Sequence, residues 1–96
     1  MKHVRSQRFR GHKWCVRYGT TSRIPTGHCE APTHAGKEIA INRCYGEFGL
    51  LELLIHEGLH ACFWDLSEEA VDEASQDLAT FVWRHGFREA PDDDRE

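Results

Sequence analysis

The chain has 96 residues, of which 40% are hydrophobic and 29% are charged, and its formal net charge is −4. This length suits one small domain over residues 1–96 and excludes two separate hydrophobic cores. We expect residues 1–7 and 90–96 to be flexible. No apolar run approaches the roughly 20 residues of a membrane-spanning helix, and no apolar segment follows the basic start MKHVRSQRFRGHKW. These features predict an intracellular, cytoplasmic protein with no signal peptide and no membrane partner.

The first half of the chain has the composition of strands and turns. Residues 14–18, WCVRY, include aromatic and β-branched residues and end at Gly19, which predicts a strand. Glycine, proline and threonine are frequent from 19 to 36, so we expect turns and at most one short strand there, near residues 28–30. Residues 37–42, KEIAIN, alternate in polarity as a half-buried strand does.

The second half is predicted to be helical. A first helix should run from residue 48 to about 63, and a second should begin after Asp65 or Ser67 and end near the basic residues and glycine at 84–86. The predicted apolar face of the first helix comprises Leu51, Leu54, Ile55, Leu59 and Cys62. That of the second comprises Ala70, Val71, Ala74, Leu78, Phe81 and Val82. The pattern as a whole predicts an α+β fold with about three strands packed against two main helices.

The segment IHEGLHAC, residues 55–62, combines His56, Glu57 and His60. Residues four apart on a helix lie on the same face, so both imidazoles can bind one metal ion while Glu57 reaches a water molecule beside it. This is the chemistry of the H-E-x-x-H pattern in zinc sites. A purely structural site needs no acid at Glu57, so its presence favours a catalytic Zn²⁺ ion.

A catalytic zinc ion needs a third protein ligand and an open position for water. On the second helix Glu73 borders the predicted buried face, and Glu69, one turn earlier, is the main competitor. Asp77, one turn after Glu73, is placed to accept a hydrogen bond from the outer nitrogen of one histidine. We therefore predict that His56, His60 and Glu73 bind one Zn²⁺ ion and that Asp77 orients a histidine, with Glu69 as the alternative ligand.

The order of His56, Glu57 and His60 followed by Glu73 and Asp77 resembles the gluzincin metallopeptidases, in which a glutamate on a following helix is the third zinc ligand. The small size resembles minimal gluzincins and short H-E-x-x-H proteins of phage and bacterial genomes. The run EASQDLA is similar to the glutamate helix of the protease domain that cleaves phage and stress repressors. This resemblance covers about residues 36–87. It implies a zincin-like fold and hydrolysis of a protein or peptide substrate, with Glu57 as general base.

The resemblance leaves one role unassigned. Gluzincins usually supply a further histidine or tyrosine that stabilises the oxyanion, and the candidates here are Tyr45, His85, His34 and His28. The spacing from His60 to Glu73 is short compared with that of larger gluzincins, and no substrate-binding subdomain follows, so we expect a shallow cleft. We expect the strand at 37–42 to border that cleft, where an extended substrate could add as another strand.

Charge is unevenly distributed along the chain. Up to Arg23 there are seven lysines and arginines and no acidic residue, whereas the remainder is strongly acidic. Such asymmetry permits binding of nucleic acid, although a solvated basic strand region is the simpler interpretation. The alternative function is therefore a zinc-stabilised, catalytically inactive module that binds a host protein or nucleic acid.

Four cysteines, Cys15, Cys29, Cys44 and Cys62, are spread through the chain without a C-x-x-C spacing. Reduced thiols are the expected state of such cysteines in an intracellular protein. A second zinc site that uses them with His12 or His28 is disfavoured by the wide, irregular spacing.

Overall fold

The computed structural model describes residues 4–19, 27–43 and 45–90. In chain order its elements are β1 (Ser6–Phe9), β2 (His12–Gly19), β3 (Gly27–Cys29), β4 (Glu38–Asn42), α1 (Gly46–Cys62) and α2 (Glu68–Arg84). The strands form one sheet in the order β1-β2-β4-β3. β2 and β4 are parallel, and the other two neighbouring pairs are antiparallel. The predicted α+β class and the two helices are confirmed, and the sheet has four strands rather than about three.

Two further predictions concern the ends of the chain and its membrane association. The ends at 1–3 and 91–96 lie outside the described residues, as does Cys44, whereas Ser6 and Gln7 pair with β2. Within the described ranges, neither helix is both long and apolar enough to cross a membrane.

The additional strand, β1, forms a hairpin with β2. Arg10 and Gly11 connect the two strands and have φ angles of 49° and 86°, the left-handed conformations that a tight two-residue hairpin turn requires. The first three residues of β1 are exposed and polar. A strand of this kind has no apolar alternation, so its sequence pattern alone does not predict it.

The core lies between the inner face of the sheet and α1. Trp14 on β2 is fully buried, and its indole nitrogen donates a hydrogen bond to the Glu30 carbonyl oxygen over 2.9 Å. Ile39 and Ile41 on β4 face the same core, as their alternation predicts. Ala40 and Asn42 are buried as well, so β4 is not the half-buried strand that its sequence pattern predicts. The buried residues of α1 are Leu50, Leu53, Glu57 and Ala61. α1 thus packs on the sheet through a stripe that includes one carboxylate.

The predicted apolar face of α1 is wrong in phase, and that of α2 is correct only in part. α1 buries the stripe that begins at Leu50, while Leu54 of the predicted face is 37% exposed. Because leucines occur on nearly every side of α1, apolar periodicity does not select one face. The buried residues of α2 are Val71, which the prediction included, and Ser75 and Ala79, which it did not. Small residues at two of these positions let α2 approach α1 closely, and Phe81 of the predicted face is largely exposed.

Candidate metal centre

His56 and His60 lie on the side of α1 that faces the first half of α2. Their side chains are 17% and 15% exposed, and their ring centroids are 4.9 Å apart. The spacing of four residues places both imidazoles on one helix face, as the sequence predicts. Two nitrogen donors therefore converge at one point of the groove between the helices.

Glu68, the first residue of α2, brings a carboxylate to both histidines. One of its oxygens lies 2.9 Å from His56 Nε2 and the other lies 3.0 Å from His60 Nε2. One potential ligand atom from each of the three residues lies within 4.8 Å of the other two. The preceding residue, Ser67, is the N-cap of α2, and its hydroxyl accepts a hydrogen bond from Ala70 N over 3.1 Å. This cap fixes the helical turn that carries Glu68.

The second nitrogen of His56 faces α2 as well. His56 Nδ1 lies 3.3 Å from an Asp72 carboxylate oxygen and 3.5 Å from the Ser75 hydroxyl. With Nε2 directed at a metal ion, Nδ1–H would donate to Asp72. A carboxylate in this position fixes the tautomer and the orientation of a histidine ligand.

The structure does not bring Glu73, Asp77 or Glu69 to the histidines. All three are exposed on α2, and within the described ranges neither Glu73 nor Asp77 has an ion pair or hydrogen bond with His56 or His60. At about 100° per residue, Glu73 lies roughly 200° around the helix from the buried Val71. The prediction of Glu73 depended on an apolar face centred on Ala74 and Leu78, and that face is not the buried one.

Glu68 and Asp72 have the same spacing of four residues as the predicted pair Glu73 and Asp77, but they lie five residues earlier. The predicted pattern of one acid to bind and a second acid to orient is thus present at another position of α2. The capping residue Ser67, which the sequence does indicate as a helix start, places Glu68 in the first turn. The signal that could have distinguished the two pairs is the stripe of small residues Ser75 and Ala79, because it marks the side of α2 that approaches α1.

Glu57 is the buried carboxylate of α1, with only 5% of its surface exposed. Among the described residues no group donates a hydrogen bond to it. Burial raises the pKa of Glu57 to about 7; the nearby Glu68 charge acts in the same direction and His56 opposes it. An acid with a pKa near neutrality can both accept and release a proton at physiological pH.

The edge strand β3 lies directly against this carboxylate. A Cβ atom placed on Gly27 would lie 2.7 Å from Glu57 Oε2 and 2.6 Å from Leu53 Cδ1. Only a residue without a side chain lets β3 approach α1 so closely. Gly27 is a residue that sequence reasoning missed, since a glycine among other glycines in a turn-rich segment carries no distinguishing pattern.

A cavity of about 810 Å³ opens beside the histidines and Glu57. β3 forms one wall, whereas no residue of β4 lines it; the expectation that the strand at 37–42 borders the cleft is therefore wrong. β4 lies between β2 and β3 and is paired on both sides. The polar and aromatic lining at the opposite wall and the two ends comprises Tyr45, Phe48, Glu52, Trp64, Glu68 and Asp72.

The candidates for oxyanion stabilisation fall into two groups. Tyr45 and His28 line the cavity. His85 lies at the C-cap of α2, where its Nδ1 is 2.7 Å from the Phe81 carbonyl oxygen, and His34 Nδ1 is 2.8 Å from the Ala35 carbonyl oxygen. Tyr45 and His28 are therefore the candidates that the fold brings toward the histidines.

The described cysteines are not part of the donor group. Cys15, Cys29 and Cys62 are free thiols. Cys29 lines the cavity, and its burial, with the nearby charges of Glu57 and Glu30, raises the pKa of its thiol to about 12. At neutral pH this thiol is protonated and a poor nucleophile.

No family model, characterised protein sequence or solved structure matches this chain. The interpretation of the site therefore depends on its own geometry and chemistry.

Proposed function

We propose that this chain is a zinc-dependent peptidase of zincin-like type, in which His56, His60 and Glu68 hold one Zn²⁺ ion and Glu57 is the general base. The observation that supports this best is the convergence of three ligand atoms within 4.8 Å beside a buried carboxylate that has no hydrogen-bond donor among the described residues. Glu68 takes the role that the sequence pattern gives to Glu73, and Asp72 takes that of Asp77.

The donor set fits the proposed metal. Two imidazole nitrogens and one carboxylate oxygen are the ligands of catalytic zinc sites that keep a fourth position open, and the cavity adjoins them. Zinc in such a site would act as a Lewis acid and would lower the pKa of a bound water molecule toward neutrality.

Glu57 would then act as general base and afterwards as general acid. Its carboxylate takes one proton from the attacking water as the water oxygen bonds to the peptide carbonyl carbon. When the carbon–nitrogen bond breaks, Glu57 returns that proton to the leaving nitrogen. Asp72 holds His56 in the tautomer that leaves Nε2 free, and Tyr45 and His28 are the donors available to the developing oxyanion.

The position of β3 supports a peptide as the substrate. β3 is the last strand of the sheet, and within the described residues its outer edge pairs with no other strand. An extended peptide can add to such an edge through main-chain hydrogen bonds. It would then lie along the cavity, with its carbonyl groups next to Glu57 and the histidines.

Metal analysis and hydrolysis of a peptide library would test this proposal. We expect about one zinc ion per chain in the wild type and in Glu57→Gln, because Glu57 is not a ligand, and loss of zinc in His60→Ala. Hydrolysis should fall by a factor of about 100 or more in Glu57→Gln, in the range expected when a general base is removed. Undiminished hydrolysis by Glu57→Gln would exclude the mechanism, and absence of zinc from the wild type would exclude the metal centre.

A pair of matched variants tests the third ligand. Glu68→Gln should weaken zinc binding at least tenfold, as measured by competition with a chelator, whereas Glu73→Gln should leave it unchanged. The reverse result would return the role of ligand to Glu73.

The basic hairpin supports a second candidate function, a zinc-stabilised module that binds nucleic acid. Arg8 and Lys13 are directly opposite each other on the outer face of β1 and β2, and both are exposed. Like charges in this position destabilise a strand pair, and an anionic partner would relieve the repulsion. Titration of RNA or DNA at two salt concentrations tests this function, since phosphate contacts weaken steeply with salt; no affinity at low salt would exclude it.

A further inference from the structure

The cavity extends from the two histidines toward the start of α1, and this end has its own lining. Tyr45, Phe48, Gly49 and Glu52 form it. Glu52 precedes His56 by four residues, so it lies one helical turn, about 6 Å along the axis, from that histidine. A side chain adjacent to the bond held at the histidines would therefore reach Glu52.

The carboxylate of Glu52 is available to a ligand. Glu52 is half-buried, and in the part of the chain that the structure describes no cation or hydrogen-bond donor contacts its side chain. A carboxylate that lines a cavity and has no partner of its own can accept a charge-assisted hydrogen bond from a cationic group that enters it. This position therefore favours a positively charged group.

Aromatic rings stand beside this carboxylate. Tyr45 and Phe48 are 47% and 36% exposed and lie on the same end of the cavity. A Cβ atom on Gly49 would lie 2.6 Å from Tyr45 Cβ, so the missing side chain at 49 lets Tyr45 pack over the first turn of α1. Aromatic faces attract lysine and arginine side chains as well as covering their apolar stems.

The cavity as a whole is lined by negative charge. Four carboxylates line it, those of Glu52, Glu57, Glu68 and Asp72, and no described lining residue is lysine or arginine. A bound dication would offset the charge at the histidine end, but Glu52 is one turn away from that end. The negative potential is therefore retained where Tyr45 and Phe48 are.

We propose that this end of the cavity binds a lysine or arginine side chain next to the scissile bond, with Glu52 as the partner of its charge. The substrate class is then a basic peptide. This inference rests on the proposed peptidase function, and it specifies what that function acts on.

Cleavage of matched peptides by the zinc-loaded protein tests the proposal. Peptides that carry lysine beside the scissile bond should have a kcat/KM about tenfold or more above those with leucine or glutamate, as a charge-assisted contact implies. Glu52→Gln should remove most of this preference, and Glu52→Lys should shift it toward glutamate. Asp65→Asn, which removes one charge from an exposed turn outside the cavity, should keep it. Equal cleavage of the lysine, leucine and glutamate peptides would overturn the proposal while leaving the peptidase function intact.

Binding without turnover provides a second measurement. Fluorescence anisotropy of labelled peptides with Glu57→Gln should show tighter binding of the lysine peptide than of the leucine peptide, and the double variant Glu52→Gln/Glu57→Gln should bind both alike. Equal affinities in Glu57→Gln would overturn the assignment of Glu52. If the wild type cleaves no peptide, the peptidase function fails, and the anisotropy result alone decides whether the cavity recognises basic side chains.

Discussion

Gly27 determines how closely β3 approaches the general base proposed at Glu57. The space that a side chain at 27 would occupy is filled by the ends of Leu53 and Glu57, and the Ala40 carbonyl oxygen is 3.2 Å from the same point. Leu53 and Glu57 both line the cavity, so a side chain at 27 would push their ends toward it. The absence of a side chain at 27 therefore leaves the Glu57 carboxylate in its position against β3.

We expect Gly27→Ala to displace Glu57 and to lower hydrolysis at least tenfold while the zinc content stays near one per chain. Overpacking of this kind should also lower the free energy of unfolding by about 1–3 kcal/mol. Activity assays, metal analysis and denaturation with urea would measure these effects. Gly58→Ala is the matched control, since its new Cβ atom would meet only Phe9 at 3.9 Å and alanine favours a helix over glycine. Wild-type activity in Gly27→Ala would show that β3 does not position Glu57.

The raised pKa of Glu57 predicts how stability depends on pH in the metal-free protein. Its pKa is about 7 in the fold and 4.5 for a glutamate side chain in water, so between these values the folded state binds more protons than the unfolded state. The free energy of unfolding should therefore fall as pH rises from 4.5 to 7, by at most roughly 1.4 kcal/mol per pH unit from this group, and then level off. Glu57→Gln cannot titrate and should lack this component.

Denaturation at pH 5, 6, 7 and 8 with a chelator present would measure the effect as the difference between wild type and Glu57→Gln. That difference should change through pH 5 to 7 and be constant above it. A difference that is the same at every pH would mean that the Glu57 pKa is close to its unfolded value.

At the scale of elements, the chain order and bounds of α1, α2, β2 and β4 follow from local sequence signals. Ser67 is the N-cap that the sequence indicates, and glycine follows α2 with a φ of 88° at Gly86. The rotation of each helix does not follow from these signals, because it depends on which side fits against the neighbouring element. Two histidines fixed by a local motif were therefore predictable, whereas the third donor, which depends on how α2 is rotated, was not.

The N-cap of α2 links helix stability to the proposed metal centre. The Ser67 hydroxyl satisfies Ala70 N in the same turn that presents Glu68. We expect Ser67→Ala to lower the free energy of unfolding by about 1 kcal/mol and to weaken zinc binding, because a frayed first turn holds Glu68 less firmly. Urea denaturation and chelator competition would measure the two effects separately.

Thr80→Ala is the matched control for this prediction, since Thr80 is exposed in the middle of α2 and alanine has the higher helix propensity. This variant should keep wild-type zinc affinity and unfold at the same or slightly higher urea concentration. If Ser67→Ala loses stability but binds zinc as the wild type does, the N-cap is not needed to hold Glu68 at the proposed metal centre.

At the scale of the whole molecule, the two helices contact each other at both ends of α1. Near its start, the rings of Phe48 and Trp83 are 5.2 Å apart in an edge-to-face arrangement, and the Arg88 guanidinium lies 3.4 Å from the centre of the Trp83 ring. Near its end, Glu68 reaches His56 and His60. A metal ion held by these three residues would cross-link α1 and α2 in a domain too small for a large core.

We therefore expect zinc to stabilise the fold, and to do so only by linking α1 to α2 at His56, His60 and Glu68. Zinc at 100 times its dissociation constant should raise the free energy of unfolding by about 2.7 kcal/mol, seen as a higher thermal midpoint. His60→Ala should abolish this increase. Trp83→Ala should unfold at a lower temperature with or without zinc, yet zinc should raise its thermal midpoint as much as it raises that of the wild type. Trp83 packs on Phe48, and Phe48 and His60 are about 18 Å apart along α1. Effects at sites so distant are additive. Loss of the increase in Trp83→Ala would mean that packing at the start of α1 is needed to form the metal centre.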